Sequence, residues 1–283
     1  MTTPAVTPTR LHVSRIGLGC VTLGREIDEA ASFTLLDHAL ARGITHFDTA
    51  AAYGGGASES ILGKWLSSRK PANITIATKI LPPYDRIDLN PSLQRLGVDH
   101  IDLLYLHQWH DSALQAGATL EKLPVRRFGA SNVTFDQLRA LGARFSVIQN
   151  NHNLAVSDVT AALRDNCAAQ EIAIVTYSPL GAGFLTGKHQ NGVQPGSRFE
   201  IIPGHQQIYF HKDAWRRLAR LEAVARRNGH SPAHLALAWA LHQPDIACTL
   251  IGGRTPAHID QAFTALDFKD EAVLSELTLD ACA

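Results

Sequence analysis

The chain has 283 residues, 45% of them apolar, and its 26 basic residues balance its 26 acidic ones. That balance leaves no electrostatic footprint for nucleic acid or for an anionic membrane surface, and the apolar content suffices for a sizeable core. The longest apolar run, residues 235–241, is far short of the ~20 residues needed to cross a bilayer.

The opening MTTPAVTPTR has no apolar h-region, so no signal peptide is expected. Four cysteines, Cys20, Cys167, Cys248 and Cys282, are scattered without a C-x-x-C pair. That pattern argues against a zinc site and a disulfide framework, and suits reduced thiols in the cytoplasm.

In chain order, residues 1–13 are expected to be irregular, and 15–20 to form a first strand. Asp28 caps the helix that follows, whose Phe33, Leu36 and Leu40 share a face. Gly43 ends it in the C′ position. The second strand is predicted over 44–48. Ser58 opens a helix with Leu62, Trp65 and Leu66 inward. The third strand spans 73–79. Asn90 and Pro91 give a cap and first turn to a short helix ending at Gly97. The fourth strand, 101–107, is buried on both faces by composition. A helix is expected over 112–123 and a fifth strand over 126–130. Thr134 caps a helix closed by Gly142, and the sixth strand spans 145–149. Ser157 and Asp158 open a helix to about 169, before a seventh strand over 172–177. A long loop, 178–211, precedes helices over 213–228 and 231–243. The eighth strand spans 247–251. Pro256 starts another helix, and 270–277 forms the last.

Eight short apolar strands, each followed by a helical pattern, predict an α/β fold of the (β/α)8 TIM-barrel type, one domain over residues 1–283. An open doubly wound sheet is the alternative. No G-x-G-x-x-G follows the first strand, which weighs against a dinucleotide site of that kind.

In such a barrel the active site lies at the C-terminal ends of the strands. Asp48 closes the second strand, Tyr53 follows it, Lys79 closes the third and His107 the fourth. A lysine ammonium beside a phenol favours the phenolate and lowers its pKa. Asp48 supplies the counter-charge that a buried lysine needs. A histidine on the other side can hydrogen-bond a carbonyl oxygen or relay a proton. Tyr53 then becomes a general acid for an alkoxide forming from a carbonyl, or a base in reverse. Each residue alone has a bland reading as a turn former, loop residue, solvated lysine or structural histidine; the chain has 14 histidines. At the ends of three consecutive strands, all four together indicate chemistry.

The blocks HFDTAAAYGGGASESILGKWL, ATK, IDLLYLH, FGASN and VTYSPLGAGFLTGK, in this order, resemble the aldo-keto reductases over about residues 10–268. The resemblance implies a barrel that transfers hydride between NAD(P)H and a small carbonyl substrate. The family's catalytic tetrad falls on Asp48, Tyr53, Lys79 and His107. Ser131, Asn132 and Gln149 match the residues that hold the nicotinamide carboxamide, and Tyr177 matches the aromatic stacked on its ring. Ser178, Leu180, Gly181, Leu185 and Lys188 match the loop over the pyrophosphate. Gly252, Arg254 and His258 match the segment that holds the adenosine phosphate. The Arg254 guanidinium suits a 2′-phosphate, so NADPH is expected, with NADH the second option. Family members commonly end that segment with Glu-Asn contacting adenine; here Gln261 and Ala262 stand there.

Two connections are short against the family's pattern: 21 residues separate Lys79 from Ile101, and 18 separate His107 from Arg126. A thin outer wall beside strands three to five is therefore expected, and with it a monomer or a weak homo-oligomer. Trp109 and His110 are expected to face the substrate, with Phe184 and Tyr84 as further candidates from the loops. Trp215 reads better as core, at helical spacing with Leu218 and Leu221. A sugar- or pyridoxal-type alcohol dehydrogenase of the same family is one alternative. A nucleotide-binding regulatory protein with little turnover is another. No H-x-H or H-E-x-x-H motif supports a metal-dependent hydrolase, and no metal is expected.

Overall fold

The alternating strand and helix pattern closes on itself. The computed structural model describes residues 11–278, so Cys282 and most of the first predicted irregular stretch lie outside it. In chain order the elements are β1 (Ile16–Gly19), α1 (Glu29–Ala41), β2 (His46–Asp48), α2 (Ala57–Arg69), β3 (Thr75–Ile80), α3 (Asn90–Leu96), β4 (Ile101–Leu106), α4 (Gly117–Leu120), β5 (Val125–Ser131), α5 (Phe135–Leu141), β6 (Phe145–Asn151) and α6 (Ala161–Ala169). They continue with β7 (Ala173–Tyr177), α7 (Arg198–Ile201), α8 (Gln206–Tyr209), α9 (Lys212–Arg227), α10 (Pro232–Leu241), β8 (Ile246–Gly252), α11 (Pro256–Leu266) and α12 (Glu271–Thr278). All eight strands run parallel in sequence order, and β8 pairs back with β1.

Strand periodicity of two sorts the side chains. One set points into the barrel: Ala77, Leu103, Tyr105, Val147, Val175, Cys248 and Leu250 pack there with Leu11, which precedes β1. Close neighbours require close backbones at one point. A β-carbon on Gly129 would lie 2.4 Å from the Tyr105 ring, so the residue opposite Tyr105 has no side chain. The other set, including Phe47, Leu104, Leu106, Ile148 and Ile174, packs outward under the helices. A further cluster joins the stretch after β7 to α9, α10 and α12 through Phe184, Phe199, Leu218, Leu221 and Trp239.

Several helix boundaries follow local chemistry. Asp28 caps α1 by accepting from the Ala31 amide, and Thr134 forms a reciprocal capping box with Gln137 at α5. Others differ from expectation. The N-cap of α3 is Leu89, one residue before Asn90. The helix expected over 112–123 is instead a 3-10 turn (Asp111–Gln115) followed by the four-residue α4. The helix expected from Ser157 starts at Ala161, capped by Thr160, because the Ser157 hydroxyl is engaged with His152 Nδ1 at 2.8 Å. The loop over 178–211 contains a 3-10 turn (Gly181–Thr186) and the short α7 and α8. The wall beside β3–β5 is thin, and Leu81 and Leu114 remain about half exposed there.

Candidate active site

Inward register at the C-terminal rim brings Asp48, Lys79, His107, Ser131, Gln149 and Tyr177 around one mouth. Asp48 lies opposite Ala77, and Lys79 opposite Tyr105. Both are essentially buried, at 2% and 1% exposure. The Lys79 ammonium donates to Asp48 Oδ1 and to the Thr49 carbonyl at 2.9 Å. Gln149 Nε2 donates to the other Asp48 oxygen at 2.8 Å, across 101 residues of sequence. The carboxylate thus bridges β3 and β6, which is how a charge buried this deep is satisfied.

The acid-bearing strand turns sharply to deliver Tyr53. Gly54, Gly55 and Gly56 follow at φ of 59°, 63° and 96°, a run of left-handed residues that side chains rarely tolerate. The Tyr53 ring centroid then lies 5.0 Å from Lys79 Nζ. The His107 ring meets Tyr53 edge-on, with centroids 5.7 Å apart. The short connections therefore leave all four residues within reach of one another. Support for β3 comes from outside the barrel: buried Glu59 accepts from Thr78 Oγ1 at 2.6 Å and pairs with Arg95 at 2.7 Å.

Charge and burial set the protonation states. Burial depresses the Lys79 ammonium, but Asp48 and then Tyr53 outweigh it and hold its pKa above the usual lysine value. For Tyr53, burial raises the phenol and the Lys79 charge lowers it; the net direction is upward. The expectation of a lowered phenol is thus reversed in the protein alone, because loss of water around the phenolate outweighs one ammonium. Tyr53 stands protonated, the form a general acid needs. Burial, reinforced by Lys79, pushes the His107 imidazolium down to about 4, so the ring is neutral at physiological pH.

Asn132, at φ of 57°, joins three elements. Its Nδ2 donates to the His107 carbonyl at 3.0 Å and to Ser131 Oγ at 3.2 Å, and its Oδ1 accepts from Tyr177 Oη at 2.6 Å. Ser131 Oγ donates to the Gln149 carbonyl at 2.8 Å. Ser178 also takes a left-handed φ of 56°, and its carbonyl accepts from Asn153 at 2.9 Å. Beyond it, Gly181, Ala182 and Gly183 have φ of 58°, 56° and 97°. Inside this turn the Gly181 amide donates to the Ser178 carbonyl at 2.8 Å and the Gly183 amide to the Leu180 carbonyl at 3.0 Å. Leu180 flanks the turn, Leu185 is buried beneath it, and Lys188 lies over Gly183, whose β-carbon would sit 3.4 Å from the lysine side chain. Gly252, Arg254, His258 and Gln261 line the segment from the end of β8 into α11; the His258 ring is held by Thr255 Oγ1 at 2.9 Å.

Other candidates fall elsewhere. Trp109 packs partly against the core, and His110 is exposed, capping the 3-10 turn after it. Phe184 is fully buried against Tyr209 and Trp215, with a 4.6 Å ring contact to the latter, so both are packing residues. Tyr84 is also fully buried and does not line the mouth. Reading the sequence missed a charge cluster from the β1 and β7 loops. Glu26, nearly inaccessible, pairs with Arg25 at 2.8 Å and Arg198 at 3.2 Å. The Arg198 charge also reaches Tyr53 and favours its phenolate. An arginine in a long loop carries no local signal of this partner. Among the described residues, no three His, Cys, Asp or Glu side chains gather as a metal-binding group.

The sequence profile described as the aldo/keto reductase family matches residues 15–275. The chain is 30% identical to "Probable aldo-keto reductase 1" of Glycine max, with 95% of this chain and 87% of that protein covered. It is 29% identical to the aldo-keto reductase yakc of Schizosaccharomyces pombe, whose name carries NADP(+), over 95% of this chain and 88% of that one. In fold it is similar to an aldo-keto reductase from Klebsiella pneumoniae solved in complex with NADPH, with a TM-score of 0.73 at 24% identity, covering 95% of this chain and 92% of that one.

Proposed function

We propose, for a chain that belongs to the aldo/keto reductase family, that it reduces aldehydes or ketones to alcohols with NADPH. The observation that carries this reading is the convergence of Tyr53, Lys79, Asp48 and His107 at one end of the barrel, with Tyr53 in contact with both Lys79 and His107.

The residues present fit a dinucleotide. Lys188, beside the left-handed turn at Gly181–Gly183, and Arg198 and Arg254 offer positive charge for phosphate oxygens. Asn132 Oδ1, fixed in orientation by Tyr177 and by the His107 carbonyl, keeps a second lone pair for a carboxamide N–H. NADPH held there would supply the hydride for the carbonyl carbon. The chain's own residues handle the oxygen. Neutral His107 donates a hydrogen bond to the carbonyl and fixes its angle. Tyr53 gives its proton to the oxygen as negative charge develops, and Lys79 stabilises the phenolate left behind. Asp48 keeps Lys79 charged and in place.

The test is a nucleotide titration followed by tryptophan fluorescence, then NADPH oxidation with a panel of reactive aldehydes. Tight NADPH binding with aldehyde-dependent oxidation is expected. Tight binding without turnover on any carbonyl would favour a regulatory nucleotide-binding role instead.

A further inference from the structure

The stretch that carries His107 into the mouth has little helix behind it. Between β4 and β5 lie only a 3-10 turn and the four-residue α4. Ladder pairing ends at Leu106, and the His107 amide still reaches the Ile80 carbonyl at 2.9 Å. The Gln108 N–H and C=O that follow have no strand to pair with. Yet both are held, by Tyr84 in the β3–α3 loop. Tyr84 Oη donates to the Gln108 carbonyl at 2.7 Å and accepts from the Gln108 amide at 3.3 Å. The ring is fully buried. The Tyr84 amide donates to Ser112 Oγ at 2.8 Å, so the loop is anchored on both sides of the phenol. A weaker bond from Thr119 to the Asp85 carbonyl, at 3.4 Å, joins the same two loops farther out.

Resting on the functional reading above, we propose that Tyr84 is the positioning residue for His107. Its hydroxyl fixes the Gln108 backbone immediately after the histidine and thereby sets where the imidazole stands against Tyr53. The hydroxyl is engaged with the Gln108 backbone, so it acts through the chain. It substitutes for the bulk that a longer β4–β5 connection would supply. Two pins then flank His107: Asn132 on its own carbonyl, and Tyr84 on the following residue's backbone. Reaction rates are sensitive to such placement, since a misplacement of about 1 Å can cost on the order of a hundredfold.

The experiment compares Tyr84→Phe with Thr119→Val, which cuts the outer contact between the same loops. Tyr84→Phe is expected to lower kcat/KM for an aldehyde about tenfold, with NADPH affinity unchanged within about twofold. Thr119→Val is expected to leave both unchanged. In a His107→Ala background, Tyr84→Phe should have no further effect, because the two act as one unit. The His107 imidazole NMR signal, identified by its absence in His107→Ala, should move in Tyr84→Phe and stay put in Thr119→Val. An active wild type with unaltered kcat/KM in Tyr84→Phe would overturn the proposal. So would an equal loss in the His107→Ala background, or an unmoved His107 signal. A wild type without carbonyl turnover would sink the functional reading instead, and the NMR comparison would still decide the placement of His107.

Discussion

Replacing Lys79 by methionine keeps the side chain's length and removes its charge. The ammonium is 1% exposed and holds the Asp48 carboxylate, itself 2% exposed. The variant strands that carboxylate with the Gln149 amide, 2.8 Å away, as its side-chain partner. Breaking a buried pair from one side costs about 3–5 kcal/mol, because the remaining charge stays out of water. At roughly 2–3 °C per kcal/mol for a chain of this size, the melting temperature should fall by ~6–15 °C. Adding Asp48→Leu removes the stranded charge and should restore most of that loss, since apolar groups of similar volume replace buried pairs well. Turnover should stay lost in both variants, because the Tyr53 phenolate has no ammonium beside it. Thermal melts and NADPH oxidation, measured on the single and double variants, give both answers. A single variant that melts with the wild type would refute the reasoning. So would a double variant that melts below the single one.

Three further outcomes are expected. The His107 ring, held down to about 4, is neutral above that value; kcat/KM for reduction should stay level from neutral pH down to about 4 and then fall. With Tyr53 raised, the alkaline fall should begin only above ~10, the ordinary phenol range; an acid limb near 6.5 would contradict this. His46 is fully buried, neither ring nitrogen has a partner, and burial pushes it down to about 4. Its folded pKa lies below the unfolded 6.5, so the neutral ring's stability is fully present above 6.5 and is lost as pH falls toward 4, by roughly 3 kcal/mol. His46→Leu should remove most of that slope in urea unfolding compared at pH 7 and pH 4.5; an unchanged slope counts against it. Arg254→Ala should weaken NADPH binding about tenfold or more, equivalent to ~1.4 kcal/mol, and NADH binding by less than about twofold. Equal losses for both nucleotides would remove Arg254 from the 2′-phosphate.

The barrel was legible because its signals are local and repeated. Asp28, Gly43, Thr134 and Gly142 mark helix ends through hydrogen bonds and left-handed turns made within a few residues. The convergence of Asp48, Tyr53, Lys79 and His107 was legible because each stands at or just past a strand end, and sequential strands are neighbours. What stayed hidden depends on partners far away in sequence. Ser157 and Asp158 look like helix openers, but Ser157 is taken by His152, and the Asn153 side chain supports the intervening turn through Ala155 and Val156. The break in the helix after β4 reflects Ser112 serving Tyr84 and His110. Gln149 reads as a contact to a nucleotide; that one of its two amide N–H donors also holds Asp48, 101 residues away, is invisible in sequence. Tyr84 reads as a pocket residue, and its loop folds it inward. The direction of the Tyr53 shift was missed for a related reason: the partner charge is visible in sequence, whereas the extent of burial is not.

The most direct test is Tyr53→Phe, which removes one oxygen beside Lys79 and His107 and little else. The variant should bind NADPH like the wild type and oxidise it with a reactive aldehyde at least ~100-fold more slowly, the lower end of what a positioned general acid contributes. Equal turnover by the two proteins would contradict the assignment of Tyr53 as the proton donor.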